Sequence, residues 1–276
     1  MNNKKFFINN AEEIIPPVND SPYKRILAIG DVHASFDKLK SLWTKLSVDD
    51  NTLVVFPGDY LDGQRGKNIE TLQWLIEHKN QKNIIFLRGN VDDTYLHHLF
   101  DSSGNFFNRL NTRVVLEIKN AATEKPNFPN EIFNFLNNLP LYHYIAVGGK
   151  KYFFCHAGIN IEAPLEAQTK FYLLNHPKLK SFYRDYSGDT VIVVGHKSPK
   201  KIFENLPQLF TNDTEKIDLT KPLKVPHRNI LMLDTHAKKD GPLSCVDLLS
   251  GEIWQSDVDT KFDGHKLNVD APYKSL

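Results

Sequence analysis

From Lys24 onward, short continuous apolar runs alternate with longer stretches in which apolar residues recur every three or four positions. KRILAIG, NTLVVFPG and NIIFLRGN are runs of the first kind. Buried strands of α/β proteins read this way, apolar on both faces and bounded by turn residues. Between them, SFDKLKSLWTKLS places Phe36, Leu39, Leu42, Trp43 and Leu46 at helical spacing, and NIETLQWLIEHKN is amphipathic in the same way. The predicted order is βαβαβ. Residues 94–140 read as helical and irregular, closing on EIFNFLNNLP at Pro140. YHYIAVGGKKYFFCHAG predicts two strands joined by a hairpin at Gly148-Gly149. Strands at 190–195, 229–234 and 243–248 repeat the logic. Residues 204–228, with Pro207, Pro222 and Pro226, read as a surface loop. The expected organisation is one domain over 25–255, between a polar Asn-rich arm at 1–24 and a tail at 256–276.

Length and composition narrow the class without changing this picture. A chain of 276 residues with 41% hydrophobic and 24% charged residues can bury a full core and is ordinary for a soluble globular protein. A formal net charge of +1 supplies no global field for nucleic acid or an anionic membrane, so neither is an expected partner and any phosphate recognition must be local. No apolar run approaches the roughly 20 residues of a membrane helix, and the start, MNNKKFFINNAEEIIPP, lacks a signal peptide's apolar core. The two cysteines, Cys155 and Cys245, each lie in a strand-like run and are expected as buried free thiols. These features predict a cytoplasmic location.

The chemistry lies where the apolar runs stop. ILAIG gives way to Asp31 and His33, TLVVFPG to Asp59, NIIFLRG to Asn90, KYFFC to His156, TVIVVG to His196, and NILMLD to Thr235 and His236. Taken singly, each has an ordinary explanation as a helix cap, a turn residue or a core histidine. Their joint occurrence at successive strand ends does not, because ligands in such sheets bind beyond the carboxyl ends of the strands. Carboxylate, amide and imidazole together suit divalent first-row metals. A bridging carboxylate that holds two cations roughly 3.5–4 Å apart generates a hydroxide and clamps a leaving oxygen. Asp59 is the natural bridge, with Asp31 and His33 completing one site and Asn90, His156 and His196 the other.

In their order along the chain these segments resemble the phosphoprotein phosphatase family of calcineurin-like metallophosphoesterases, in its bacterial branch. The family's G-D-x-H-G stands here as GDVHA at 30–34, its G-D-x-x-D-R-G as GDYLDGQ at 58–64, and its G-N-H-E/D as GNVD at 89–92. FLNNLP at 135–140, HAG at 156–158, PLEAQ at 164–168, VVGH at 193–196, DTHA at 234–237 and PLSCVDLLSGEIW at 242–254 match the branch's later blocks. The resemblance covers about residues 25–255. It implies an α/β fold, a four-layer α/β/β/α sandwich with two mixed sheets, and a dinuclear metal centre. It also matches Arg184 to an arginine that clamps substrate phosphate.

Three departures bear on catalysis. In the family the His of G-N-H-E protonates the leaving oxygen and is held by the Asp of G-D-x-x-D; here Val91 replaces it and Asp62 stands without it. The arginine that follows that Asp grips phosphate in the family, and here Gly63 takes its place, with Arg65 the nearest substitute for substrate binding. The Gly of D-T-G-A is His236. A G-N-x-D block also occurs in the smaller phosphodiesterase branch, but that branch ends in G-H-x-H, where this chain has GHKS and Ser198. The catalytic set expected beside the metal ligands is therefore Asp62, Arg184 and His236. The expected activity is metal-dependent hydrolysis of phosphomonoesters, on a phosphorylated protein or a small phosphoester. Two divalent ions are implied, manganese first, with iron, zinc or cobalt also suited to the ligand set. A dinucleoside polyphosphate or phosphodiester hydrolase, and a catalytically weak metal-stabilised binding module, remain as alternatives.

Overall fold

A computed structural model of the chain describes residues 21–62, 66–100, 113–175, 178–210 and 217–257. The first three runs form β1 (Arg25–Ile29), β2 (Thr52–Phe56) and β3 (Ile84–Phe86), parallel and adjacent. The closing hairpin, β9 (Ser244–Asp247) and β10 (Ile253–Gln255), adds to the other side of β1, giving a five-stranded sheet in the order β10-β9-β1-β2-β3. The second sheet has the order β4-β5-β6-β8-β7, from β4 (Tyr142–Val147), β5 (Lys150–Cys155), β6 (Val191–Val194), β7 (Leu223–Lys224) and β8 (Ile230–Met232). Strands β5, β6 and β8 are parallel, with antiparallel β4 and β7 at the edges.

The unbroken apolar runs are explained by burial on both faces. In β1, Ile26 and Ala28 face the second sheet and pack with Phe154, Val193 and Leu233. The alternate residues Leu27 and Ile29 face outward beneath α1 (Phe36–Trp43) and α2 (Asn68–His78), against Leu39, Leu42, Leu72 and Leu75. The second sheet repeats the arrangement, with Phe153, Ile192 and Met232 packed on Leu173, Phe182 and Ile202. Those last residues lie on α6 (Lys170–Asn175), α7 (Leu179–Asp185) and α8 (Pro199–Asn205). Helix, sheet, sheet and helix are the four expected layers. Gly148 and Gly149, both at positive φ (56° and 72°), close the β4–β5 hairpin where a side chain would be strained.

Two expectations need correction. Asn90 does not end a strand: β3 stops at Phe86, and Asn90 opens α3 (Asn90–Leu99), followed by α4 (Arg113–Glu124) and α5 (Phe128–Asn137). The reason is Asp92, whose carboxylate accepts the Gly89 N–H (2.9 Å) and so fixes the helix start. The segment 204–228 is not all surface loop, because β7 pairs with β8 and Val225, Leu206 and Phe210 are buried in the core of the second sheet. Both cysteines are buried and free, as expected. No helix among the described residues is long and apolar enough to cross a membrane.

Candidate metal centre

The carboxyl ends of β1, β2, β5, β6 and β8 converge with the start of α3 on one rim. Backbone bonds lace the turns together: Val32 N and His33 N donate to Asp59 O (3.1 and 2.9 Å), and Gly195 N donates to His156 O (3.0 Å). His33, Ala34, Asp59, His196 and His236, all on this rim, hold positive φ between 45° and 66°. Non-glycine residues occupy that region only when their surroundings impose it, and such residues cluster at functional sites. The rim is also too tight for added side chains. A Cβ on Gly89 would lie 2.2 Å from Asp59 Oδ1, and one on Gly195 would lie 1.9 Å from Asp31 Oδ1.

Six predicted ligands meet here, in two groups. Asp31, His33 and Asp59 form one, and Asp59, His156 and His196 the other, with the ligand atoms of each group within 4.8 Å of one another. Asp59 belongs to both through different oxygens: Oδ2 is 3.7 Å from His33 Nε2, and Oδ1 is 3.4 Å from His156 Nε2. Asn90 joins the second group, its Oδ1 lying 2.8 Å from His156 Nε2 and 2.9 Å from His196 Nδ1. The ligands are themselves held. His33 Nδ1 lies 3.3 Å from Leu61 O, which can only accept, so the proton sits on Nδ1 and Nε2 faces inward. Asp92 accepts the backbone N–H of both Asp59 and Tyr60 (2.8 and 2.9 Å), tying the bridging loop to α3.

Electrostatics mark the same atoms. Burial and the neighbouring Asp234 and Asp59 carboxylates hold the Asp31 carboxyl well above the usual range. Burial also pushes Asp59 upward, but His156, His33 and His196 outweigh it and leave its pKa low. His156 is pushed up to about 9: burial opposes its charge, and Asp59 more than compensates. Asp92 rises to about 6 through burial and the charge of Asp59. Asp31 Oδ1 is buried without a hydrogen-bond partner, which is costly for a carboxylate unless a cation takes it. The donor set and this orphaned oxygen fit a pair of divalent ions.

Of the other predicted residues, His236 is at the rim: its Nε2 is 2.7 Å from Ser198 Oγ, so its ring reaches the position two residues beyond His196. Asp62 is there too, buried and 3.1 Å from Lys238 Nζ. Arg184 is not. Its guanidinium is engaged bidentately with Asp185 (both 2.7 Å), and its carbonyl accepts Arg228 from the segment leading into β8, at the opposite ends of β6 and β8. The short α7 ends there. Arg65 and Gly63 lie outside the described residues. The sequence reading missed Lys238, because a lysine after a rim strand is ordinary until its buried partner is known. It also missed the holding role of Asp92, signalled by an acid three residues after Gly89 at a helix start.

A model of the calcineurin-like phosphoesterase family matches residues 24–227. Among solved structures, one provisionally described as a diadenosine tetraphosphatase is similar over 87% of this chain and 95% of its own, at 16% identity and a TM-score of 0.56. A protein serine/threonine phosphatase from Saccharomyces cerevisiae is 16% identical with a TM-score of 0.49, covering 88% of this chain and 82% of that one. At such identity the first likeness speaks for the fold. No curated protein matches the sequence significantly.

Proposed function

Because this chain belongs to the calcineurin-like phosphoesterase family, we propose that it is a metal-dependent phosphomonoesterase acting on phosphorylated protein side chains or small phosphoesters, with manganese the first-choice metal. The observation that carries this reading is Asp59, whose two oxygens face two separate ligand groups. Asp31, His33 and Asp59 would hold one divalent ion, and Asp59, Asn90, His156 and His196 the other. Such a pair, when bound, supplies an activated water and neutralises the charge of the phosphoryl oxygens.

The chain's own residues supply order and proton handling. Leu61 O and Asp92 fix His33 and Asp59 before substrate arrives, so little reorganisation is needed during reaction. Val91 cannot donate a proton, and its N–H is already given to Asp59 Oδ1 (2.9 Å). We assign delivery of a proton to the leaving oxygen to His236, held through Nε2 at Ser198. Slow turnover of alkyl phosphates follows if that delivery is less effective than the family's, since general acid catalysis is worth a factor of roughly 10²–10⁴.

The test is a metal-by-substrate panel with an aryl phosphomonoester, an aryl phosphodiester, a phosphopeptide and diadenosine tetraphosphate. Manganese-dependent turnover favouring the two monoesters is expected. Preference for diadenosine tetraphosphate would move the substrate class to dinucleoside polyphosphates. Absence of turnover with every metal would leave a metal-stabilised binding module.

A further inference from the structure

The connection from β8 to β9 leaves one sheet and enters the other, so it crosses the rim where the ligands gather. Its main chain is fastened from α1. Lys38 Nζ donates to three carbonyls, Ala237 O, Lys239 O and Gly241 O (2.8, 2.9 and 2.8 Å), and Ser35 Oγ donates to Ala237 O (2.9 Å). A Cβ on Gly241 would lie 1.8 Å from Thr235 O, so the crossing is a tightly closed turn. Thr235 Oγ closes it further by donating to Pro242 O (2.7 Å), and two other side chains of the turn reach back to the ligand loops. His236 meets Ser198, two residues past His196, and Lys238 meets Asp62, three residues past Asp59.

The Lys238–Asp62 pair is asymmetric: the carboxylate side chain is 1% exposed and the lysine side chain 40%. An ammonium has three N–H donors, so one contact with Asp62 leaves others directed at solvent. The peptide preceding Asp62 is the one whose carbonyl, Leu61 O, holds His33. The cation thus contacts the loop whose neighbouring carbonyl orients His33. Arg184, the arginine expected to meet phosphate, is bound elsewhere. A compact, strongly charged ammonium in this position has the chemistry of a phosphate ligand.

We propose that Lys238 is the side chain that receives the non-bridging oxygens of the substrate phosphoryl group, with Asp62 as the positioning residue that aims it. The proposal rests on the phosphoesterase reading and deepens it by naming the anion contact.

The experiment measures inorganic phosphate binding calorimetrically to manganese-loaded protein, alongside KM and kcat for an aryl phosphomonoester and metal content. Lys238→Gln should weaken phosphate by about tenfold or more and raise KM, with metal content unchanged. Lys238→Arg should recover most of the affinity. Asp62→Asn should raise KM more than it lowers kcat, a split that a merely structural carboxylate would not give. If Lys238→Gln folds poorly because the buried Asp62 carboxylate loses its lysine contact, the double variant Asp62→Asn/Lys238→Gln removes that charge and carries the same phosphate measurement. Wild-type phosphate affinity in either variant overturns the assignment. A wild-type protein that neither binds phosphate nor hydrolyses any phosphoester would instead sink the phosphoesterase reading itself.

Discussion

Gly195 shows how little freedom a ligand loop has. A methyl group there would sit 1.9 Å from Asp31 Oδ1, and Asp31 cannot simply turn away because its Oδ2 accepts the His196 N–H at 2.9 Å. Overpacking of this kind costs about 1–3 kcal/mol, and here the strain falls on a ligand. Gly195→Ala should therefore lose metal, with less than one equivalent retained after dialysis against dilute manganese, and lose kcat/KM in step. Retention of two equivalents would show that Asp31 is not a ligand. Arg184 provides the opposite case. Its guanidinium is exposed and satisfied by Asp185, so Arg184→Ala should leave kcat/KM within about twofold of wild type, because pairs between exposed charges contribute little. A tenfold loss would return Arg184 to the phosphate site.

The turn between β8 and β9 is tied to α1 as well as to its own strand ends. Lys38 donates three charge-assisted hydrogen bonds to carbonyls of that turn, partly shielded from water. Removing them in Lys38→Met should cost on the order of 2 kcal/mol of unfolding free energy, measured by urea denaturation. It should also raise KM more than it lowers kcat, as the turn carrying Lys238 loosens. Unchanged KM with lowered stability would make Lys38 a structural clamp alone. This contact separates what was legible in the sequence from what was not. β1, β2, β5, β6 and β8 were visible as apolar runs because both their faces are buried, and a pattern of that kind is local. The ligands other than Asn90 were visible because they follow those runs directly. β7 and the partners of Lys38 and Lys238 were not, since each depends on atoms outside the local pattern: Lys224 with Leu231, Ala237 with Lys38, Asp62 with Lys238. The start of α3 at Asn90 carried a local signal, Asp92 three residues past Gly89, that the apolar pattern does not register. The position of Arg184 was not legible either. Its place ahead of VVGH says nothing about which end of β6 the helix before it packs against.

The two sheets meet in an apolar interior, yet their joint edge gathers Asp31, Asp59 and Asp92, all buried, with His33 and His196 partly exposed and His156 fully enclosed. Without metal, the charge of these carboxylates is met mainly by the imidazoles, and the folded state keeps His156 protonated up to about 9 against an ordinary value of 6.5. A proton bound more tightly in the folded chain than in the unfolded one stabilises the fold. That contribution is fully present below about 6.5 and is lost as pH rises through about 9. Asp59, depressed by the same imidazoles, contributes from the other side, through stability that is lost only as pH falls well into the acid range. Metal-free protein should therefore unfold more easily at pH 8.5 than at pH 6.5, by on the order of 2 kcal/mol. Metal reverses the slope, because a bound ion requires neutral imidazole and releases the proton that His156 held, so its affinity grows with pH. Urea midpoints at the two pH values, with excess chelator and with two equivalents of manganese, should move in opposite directions. Parallel shifts in the two conditions would mean that His156 does not exchange its proton for a metal ion, and would remove it from the ligand set.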